Sequence, residues 1–427
     1  MVTKIKFPRG VAVGIFGVAV LTACSSNHSA ATGKRTPANA VATTTTLTTS
    51  AAAATTTATT TTSTGGWVAS PNGAKGESDV ADNFNVQSTL QPDPTTVPVM
   101  ADPVGAFRFE CLSGQLAKDD PIVYPGQPGK SHLHQFFGNM LTNASSTYQS
   151  LRTSGGSTCT GNANSTDPTP QRSAYWMPAM LDGAGNAVKP NRMLTYYKQL
   201  PNNNPECGAA PDSTHIGYCV AMPNGLRMIT GYNMDSGKGG PADTTSADQW
   251  TMHFDCWLPT GAVTPAEPTL AAVVATGTCP AGSLLRVLID FPQCWDGKNL
   301  DSPDHRAHMS DEVGAALPDG SRACPSDHPY NIPSITIQAF FTTDANFVAG
   351  KWHLSSDDML PGAAAGTTLH GDYWEAWSPT IKNQWQVGCI DAHLSCNNGQ
   401  LGNGQTIKGM PQGPWPDHVL VPLSSIP

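Results

Sequence analysis

The amino-acid sequence predicts a mainly β protein, an antiparallel β-sandwich or jelly roll with long disulfide-stapled loops and a few short helices. The 427 residues include 41 Gly and 36 Pro, a turn-rich composition that argues against a coiled coil or a helical repeat array. Short β-rich runs recur between these turn residues, and long amphipathic helical patterns are scarce. All but one of the 11 Cys lie after residue 103.

The predicted strands begin near residue 104 and continue to about residue 341. Each is a short run rich in β-branched and aromatic residues, bounded by Gly, Pro or Asn. The predicted strands are Val104–Cys111, His132–Phe137, Ala174–Met180, Met193–Tyr197, Gly225–Gly231, Gln249–Trp257, Leu284–Phe291 and Ser334–Phe341. One helix is predicted later in the chain, with Ser378 as its N-cap and Pro379 as its first residue.

The first residues have the pattern of a bacterial lipoprotein signal peptide. Basic residues precede the apolar stretch Val11–Leu21, which is long enough for a signal sequence and too short for a membrane span. The stretch ends in a Leu-Thr-Ala-Cys box at Cys24. We therefore expect residues 1–23 to be removed and Cys24 to be lipidated. The lipid would hold the protein extracytoplasmically, on the outer face of a bacterial membrane.

Residues 24–102 are predicted to form a disordered tether between the lipid anchor and a single globular domain, 103–427. The segment is rich in Thr, Ala and Ser and has almost no pattern of core-forming residues. Such a composition buries too little apolar surface to offset the entropy of ordering the chain.

Charge and cysteine content restrict the partners and the compartment. A formal charge of −9 without basic blocks argues against nucleic-acid binding. Without the lipidated Cys24, the 11 Cys leave an even number, which in an exported chain predicts five disulfides of open connectivity. Zinc bound by cysteines would favour Cys-x-x-Cys pairs, and the sequence contains none.

Histidine and aspartate residues are the main candidates for a functional site. In a strand His132 and His134 share one face, and such a pair can chelate a metal ion. Three further segments, 251–257, 301–308 and 370–374, bring additional His and Asp residues. We predict a shared cleft with the catalytic residues His132, His134, Asp304, His305, His370 and Asp372. The predicted ligands of one transition-metal ion are His132, His134, His305 and His308.

The same residues also permit acid–base chemistry on a glycan without a metal. Tryptophan rings are common platforms for sugars, although in a secreted domain they are also common core residues. The predicted substrate-binding residues are Trp176, Trp295, Asp296, Lys298 and Trp374.

Ordered motifs extend over most of the predicted domain. They are Asp120-Pro121-Ile122-Val123, Ser131-His132-Leu133-His134 through Gly138-Asn139, Tyr175-Trp176-Met177-Pro178-Ala179, Tyr196-Tyr197, Gly225-Leu226-Arg227-Met228, Phe291 through Leu300 with Asp301 to His308, Cys324 through Pro329, and Leu369-His370-Gly371-Asp372-Tyr373. From Phe107 to Cys396 the chain resembles a large family known only as a domain of unknown function, found in secreted fungal and actinobacterial proteins. One departure is Glu375-Ala376 before Trp377, where relatives tend to carry a Gly. The resemblance implies a shared fold and names no reaction.

The sequence leaves two classes of function open. The first is a cell-surface enzyme acting on polysaccharide, with or without a metal ion. The second is a non-catalytic glycan-binding or cell-wall-associated surface module in which the His residues hold a structural network. Imidazoles that converge in an open cleft would favour the enzyme, and dispersed, buried imidazoles would favour the module.

Overall fold

The computed structural model of the chain describes residues 76–160, 168–247, 251–317 and 320–427. The predicted signal peptide 1–23, the lipidation site Cys24 and the tether up to residue 75 lie outside the described residues. Within these ranges the chain is mainly β, with antiparallel sheets and a few short helices, as the sequence predicts.

The strands are short, and most are bounded by turns. In chain order they are β1 (Leu90–Pro92), β2 (Gly105–Cys111), β3 (Leu116–Ala117), β4 (His134–Gly138), β5 (Ala174–Pro178), β6 (Met180–Leu181), β7 (Asn186–Lys189), β8 (Arg192–Gln199), β9 (Tyr218–Cys219), β10 (Arg227–Gly231), β11 (Met252–Trp257), β12 (Leu284–Asp290), β13 (Cys294–Trp295), β14 (Met309–Ser310), β15 (Val313–Ala316), β16 (Arg322–Ala323), β17 (Tyr330–Asn331), β18 (Ser334–Thr342), β19 (His353–Leu354), β20 (His370–Trp374), β21 (Ser395–Cys396), β22 (Gln405–Ile407) and β23 (Val419–Pro422). The described α-helices are α1 (Tyr148–Thr153), α2 (Leu270–Thr276), α3 (Ala345–Val348) and α4 (Pro379–Trp385). Short 3-10 turns cover Val86–Thr89, Asp357–Met359 and Leu423–Ser425, and a π turn covers Gln386–Ile390.

Two sheets form the body of the domain. One has six strands in the order β11-β12-β18-β8-β2-β21, antiparallel except for the parallel pair of β2 and β21. The other has five strands in the order β10-β20-β5-β4-β3, and all its pairs are antiparallel. Smaller sheets complete the fold, including the four-stranded sheets β19-β6-β7-β23 and β14-β13-β17-β9.

The core lies between the two large sheets. The hydroxyls of Tyr175 in β5 and Tyr197 in β8 are 2.6 Å apart, and Tyr197 donates to the hydroxyl of Tyr373 in β20 at 3.2 Å. Phe107 and Phe109 of β2 are fully buried in the same hydrophobic cluster. Because one continuous core joins the inner faces of both sheets, the predicted β-sandwich is confirmed.

The predicted elements are found where the local pattern is strongest. Every strand predicted from the sequence overlaps an observed strand, with the part of Gln249–Trp257 before residue 251 outside the described residues. The predicted helix is α4, in which Pro379 is the first residue and the Ser378 Oγ accepts from the Ile381 N–H at 3.5 Å.

Five disulfides staple the loops, which confirms the number that the sequence predicts. The pairs are Cys111–Cys159, Cys207–Cys219, Cys256–Cys279, Cys294–Cys324 and Cys389–Cys396. Disulfides at this density are typical of an extracellular protein. In the described part of the chain no helix combines the length and apolar character that a membrane span needs.

The globular part begins earlier than the sequence indicates. Residues 76–102, assigned to the tether, pack on the domain in the structure. Leu90 is buried where β1 pairs with β22, and the Asp82 carboxylate forms a buried ion pair with Arg152 of α1. These contacts depend on single residues in a polar segment, so no hydrophobic periodicity marks them in the sequence.

Candidate metal centre

The register of the five-stranded sheet brings two histidines to the same level. His134 is the first residue of β4 and pairs with Pro178 of β5. On the other side of β5, Asp372 of β20 pairs with Trp176. His370 lies two residues before Asp372 in an antiparallel strand and is therefore level with Pro178. Residues opposite each other in a sheet point to the same face, so the imidazoles of His134 and His370 flank β5 on one face.

This face is the one turned away from the sandwich core. Phe136 and Trp176, which share it, belong to a separate hydrophobic cluster, and their rings stack at 5.4 Å between centroids. His132 precedes β4 by two residues and lies on the same face, while Leu133 packs in a third cluster with Ala179. The alternation that the sequence predicts for residues 132–134 is therefore present, although β4 itself begins at His134.

The imidazoles of His132, His134 and His370 form one group. A ligand atom from each can be chosen so that all lie within 4.8 Å of one another. The ring centroid of His132 is 4.2 Å from that of His134 and 5.0 Å from that of His370. His134 and His370 are buried, and His132 is half-buried. These separations fit three ligands that surround one metal ion.

Hydrogen bonds fix two of the rings. The Nδ1 of His134 lies 2.9 Å from the Asp119 carbonyl oxygen, and the Nδ1 of His370 lies 2.8 Å from the Thr368 carbonyl oxygen. Since a carbonyl accepts only, Nδ1 carries the proton in each ring, and the lone pair is on Nε2. Donation of the other N–H to a backbone carbonyl is the usual support of a metal-bound histidine.

Two of the ring nitrogens are buried without a hydrogen-bond partner among the described residues, the Nε2 atoms of His132 and His134. Buried polar atoms in folded proteins are nearly always paired, so these two nitrogens in neighbouring rings are available to a ligand. The Oδ2 of Asp372 is also buried without a partner in this part of the structure.

Burial keeps these imidazoles neutral, the state that binds metals. It is the main cause that lowers the pKa of all three rings, and neighbouring imidazoles add to the effect at His132 and His370. The pKa of His370 falls to about 3. Burial, with a contribution from the Asp120 carboxylate, raises the pKa of Asp372 well above its usual range.

The group opens to a cavity of about 100 Å³. His132, His370 and Asp372 form part of its wall, and Asp304 and His305 contribute from the loop 301–308. The structure thus brings five of the six predicted catalytic residues to one cavity, with His134 directly behind them. The loop is held in place by the guanidinium of Arg306, which donates to the carbonyl oxygens at the end of β10.

The other two predicted ligands, His305 and His308, are outside the three-histidine group. The Nδ1 of His305 is 2.9 Å from the Asp301 carboxylate, and this residue adopts a positive φ of 58°. His308 is buried with both nitrogens engaged, Nδ1 at 3.0 Å from the Ser302 hydroxyl and Nε2 at 2.7 Å from the Arg227 carbonyl. These contacts hold the loop 301–308 together.

The residues predicted to bind sugar do not form an exposed platform. Trp176, Trp295 and Trp374 are at most 2% exposed and pack in the hydrophobic clusters or against Arg227. The Asp296 carboxylate accepts from the backbone N–H of Lys298 at 2.8 Å and closes a tight turn. Lys298 itself is exposed. A stacking role for the three indoles therefore gains no support from their position.

Sequence reasoning missed the groups that support the histidines. Asp119 offers its backbone carbonyl to His134, and its carboxylate accepts from the N–H groups of Gly129 and Ala144. Asp120 accepts from Ile122 and Val123 and shapes the turn beside the site. The pair Asp119-Asp120 before a Pro was a visible signal of a structured turn, but its contact with His134 depends on tertiary structure.

Fold and site together define a disulfide-stapled β-sandwich protein with a buried three-histidine group beside a polar cavity. The family model described as Domain of unknown function (DUF1996) matches residues 120–377, more than half of the chain, and the chain belongs to this family. No curated protein and no solved structure matches the sequence.

Proposed function

We propose that this chain is an extracellular metalloenzyme that acts on polysaccharide, with His132, His134 and His370 as the ligands of one transition-metal ion. The observation that carries the proposal is the convergence of three neutral imidazoles whose possible ligand atoms lie within 4.8 Å of one another. In two of them the buried Nε2 has no partner among the described residues. His370 takes the place that sequence reasoning gave to His305 and His308.

The chemistry of the donor set supports a catalytic ion. Imidazole nitrogens suit Zn²⁺, Cu²⁺ and Fe²⁺, and three protein ligands leave a coordination position for water or substrate. A metal ion in such a site lowers the pKa of bound water and makes it a nucleophile near neutral pH. Asp372, whose buried Oδ2 has no partner among the described residues, would supply a further polar group in the wall of the same cavity.

The surroundings of the site support a polymeric, hydroxyl-rich substrate. The cavity of about 100 Å³ is too small for a whole ligand, since typical ligand sites occupy about 300–1,000 Å³. A second, wider cavity of about 290 Å³ shares Ile229, Asn233 and Arg306 with it. Together they would offer a chain-like substrate an extended surface of mixed polarity that includes His132 and His370.

Elemental analysis by mass spectrometry of the full chain tests the metal site. The expected result is about one equivalent of a transition metal, removed by chelator and restored by adding the ion. Loss of metal in the variant His132→Ala/His134→Ala, with the disulfide-bonded fold retained, supports the proposal. Metal content that is unchanged in this variant, or absent from the wild type after incubation with several ions, contradicts it.

A second assay tests the catalytic part. The metal-loaded protein is incubated with a panel of polysaccharides, and new chain ends are measured against the chelated protein. Metal-dependent release of ends supports an enzyme. Glycan binding on an array without turnover would instead support the non-catalytic surface module.

A further inference from the structure

A second buried polar cluster lies outside the metal site and joins three elements of the fold. Asn224 precedes β10, Glu375 directly follows β20, and Lys382 is in α4. Asn224 and Glu375 are fully buried, and Lys382 is only 3% exposed. A lysine ammonium is almost never buried to this extent without a specific reason.

The amine of Lys382 contacts both of the other side chains. Its Nζ lies 2.9 Å from the Glu375 Oε1 and donates to the Oδ1 of Asn224. Contact with the amide oxygen brings the amine next to the amide carbon of the same side chain. A nucleophile, an electrophilic carbonyl and a carboxylate that can move a proton thus share one site that excludes water.

The orientation of the Asn224 amide is fixed by its own partners. Its Nδ2 donates to the Asp79 carboxylate at 2.6 Å and to the Glu77 carbonyl at 3.3 Å. Both partners accept only, so the nitrogen must face them and the oxygen must face Lys382.

Glu375 is held equally firmly. Its Oε2 accepts from the Gly225 N–H at 2.8 Å, and its Oε1 accepts from the Trp377 N–H at 3.1 Å. The carboxylate is therefore pre-positioned against the Lys382 amine.

The geometry points to an intramolecular isopeptide bond between the Nζ of Lys382 and the Cγ of Asn224, formed with Glu375 as the catalytic proton acceptor. Glu375 takes a proton from the ammonium, and the lone pair of Nζ attacks Cγ. The bond from Cγ to Nδ2 then breaks, and Nδ2 leaves as ammonia. One proton stays on the new amide nitrogen, Glu375 keeps one, and ammonia carries away the rest, so charge and atoms balance without an oxidant or cofactor.

The electrostatics of the cluster favour this reaction. Burial lowers the pKa of Lys382, which makes the neutral, nucleophilic amine easier to form. An ion pair in a dry interior has a large desolvation cost, and the product replaces it with a neutral amide and a neutral acid. The new bond would tie the start of β10 to α4 and close a loop over a separation of 158 residues.

Peptide mapping of the full chain tests the bond directly. After reduction, alkylation and digestion, we expect a branched peptide that joins the segments of Asn224 and Lys382 and has lost one ammonia. The variant Glu375→Gln should lower its yield at least about tenfold, since general acid–base groups contribute roughly 10²–10⁴-fold to rates. Glu110→Gln is the matched control. Glu110 also pairs with a cation, Arg192, but it is not part of the Lys382–Asn224 cluster, so its replacement should leave the yield of the branched peptide unchanged.

Loss of ammonia from Asn224 without a branched peptide would come from a different reaction. Asn224 precedes Gly225, and a succinimide at this pair loses the same ammonia without a branch, so the mass of the intact chain does not decide the question. Lys382→Arg abolishes the branched peptide if the proposal is correct and leaves succinimide formation unchanged. Wild-type protein with all five disulfides formed that yields only linear peptides and a free Lys382 overturns the proposal.

Discussion

The three-histidine group and the loop 301–308 both bring imidazoles together. They differ in whether the second ring nitrogen has a hydrogen-bond partner among the described residues. In the group, Nδ1 of His134 and His370 is fixed by a backbone carbonyl, and the Nε2 atoms of His132 and His134 are left without a partner. In the loop, both nitrogens of His308 are engaged. Proximity of histidines is thus a weak indicator of a metal site, and an unpartnered lone pair that faces its neighbours is a stronger one.

The largest predicted effect separates the two regions by metal content. The variant His132→Ala/His134→Ala should lose essentially the whole equivalent of bound metal, because at most one imidazole ligand remains. The matched variant His305→Ala/His308→Ala should keep it. Elemental analysis of the two double variants measures their metal content, and circular dichroism verifies that both are folded. Equal metal loss in the two variants would mean that the loop contributes ligands.

A smaller effect is predicted for the carboxylate beside the histidines. Asp372→Asn should weaken metal binding by about 10–100-fold, the range seen when groups around the ligands are changed. Competition with a chelator of known affinity measures the change. Asp304→Asn, which lines the same cavity from the loop 301–308, is the control. An identical loss of affinity in that variant would contradict a specific role of Asp372 at the metal site.

A stability effect without a metal effect is predicted in the loop. His308→Ala removes two buried hydrogen bonds and should lower the free energy of unfolding by about 1–3 kcal/mol. Urea unfolding of the chelated protein measures it. His132→Ala should be nearly neutral in the same assay, because its Nε2 has no partner to lose. A reversed order of the two variants would contradict the distinction drawn between the regions.

The last prediction tests whether an unpartnered buried atom by itself marks a site. The Asp290 Oδ1 has no partner among the described residues. Burial raises the pKa of this carboxyl from 3.8 to about 6, with a hydrogen bond from Thr336 and the charges of His253 and Lys198 opposing the shift and Asp311 adding to it. The folded state therefore binds more protons between these two pKa values, and stability falls as the pH rises through them.

Asp290→Asn should remove this penalty. We expect wild type and variant to be similar below pH 3.8, and the variant to be more stable above pH 6 by on the order of 3 kcal/mol. Thermal unfolding at pH 4 and pH 8 measures the difference. If the variant is less stable than wild type at pH 8, or if its metal content changes, the ionised Asp290 carboxylate makes a stabilising contact, and the prediction is wrong.

Most of the fold could be predicted because its signals are local. The alternation of buried and more exposed residues in β2 and β8, the apolar run of β12 and the Ser378-Pro379 start of α4 each extend over only a few residues. The packing of residues 76–102 was not predictable in this way, since it rests on isolated contacts such as the Asp82–Arg152 pair across the domain.

Half of the candidate site had a local signal. His132 and His134 share a face because strands have a period of two, and their pairing follows from the sequence. The addition of His370 depends on β5 lying between β4 and β20 in one particular register, which no local pattern encodes. The loop histidines were grouped with them because sequence spacing does not reveal hydrogen-bond partners such as the Arg227 carbonyl oxygen.

The parallel pairing of β2 with β21 has a consequence for the biogenesis of the protein. It joins Ala106 to Ser395, almost the two ends of the sandwich. Contacts between residues so distant along the chain form slowly, because the intervening loop must close first. In a chain synthesised from its N-terminus, β2 is made long before its partner. The six-stranded sheet is therefore completed only after synthesis of the domain is almost finished, and until then one edge of β2 needs protection from aggregation.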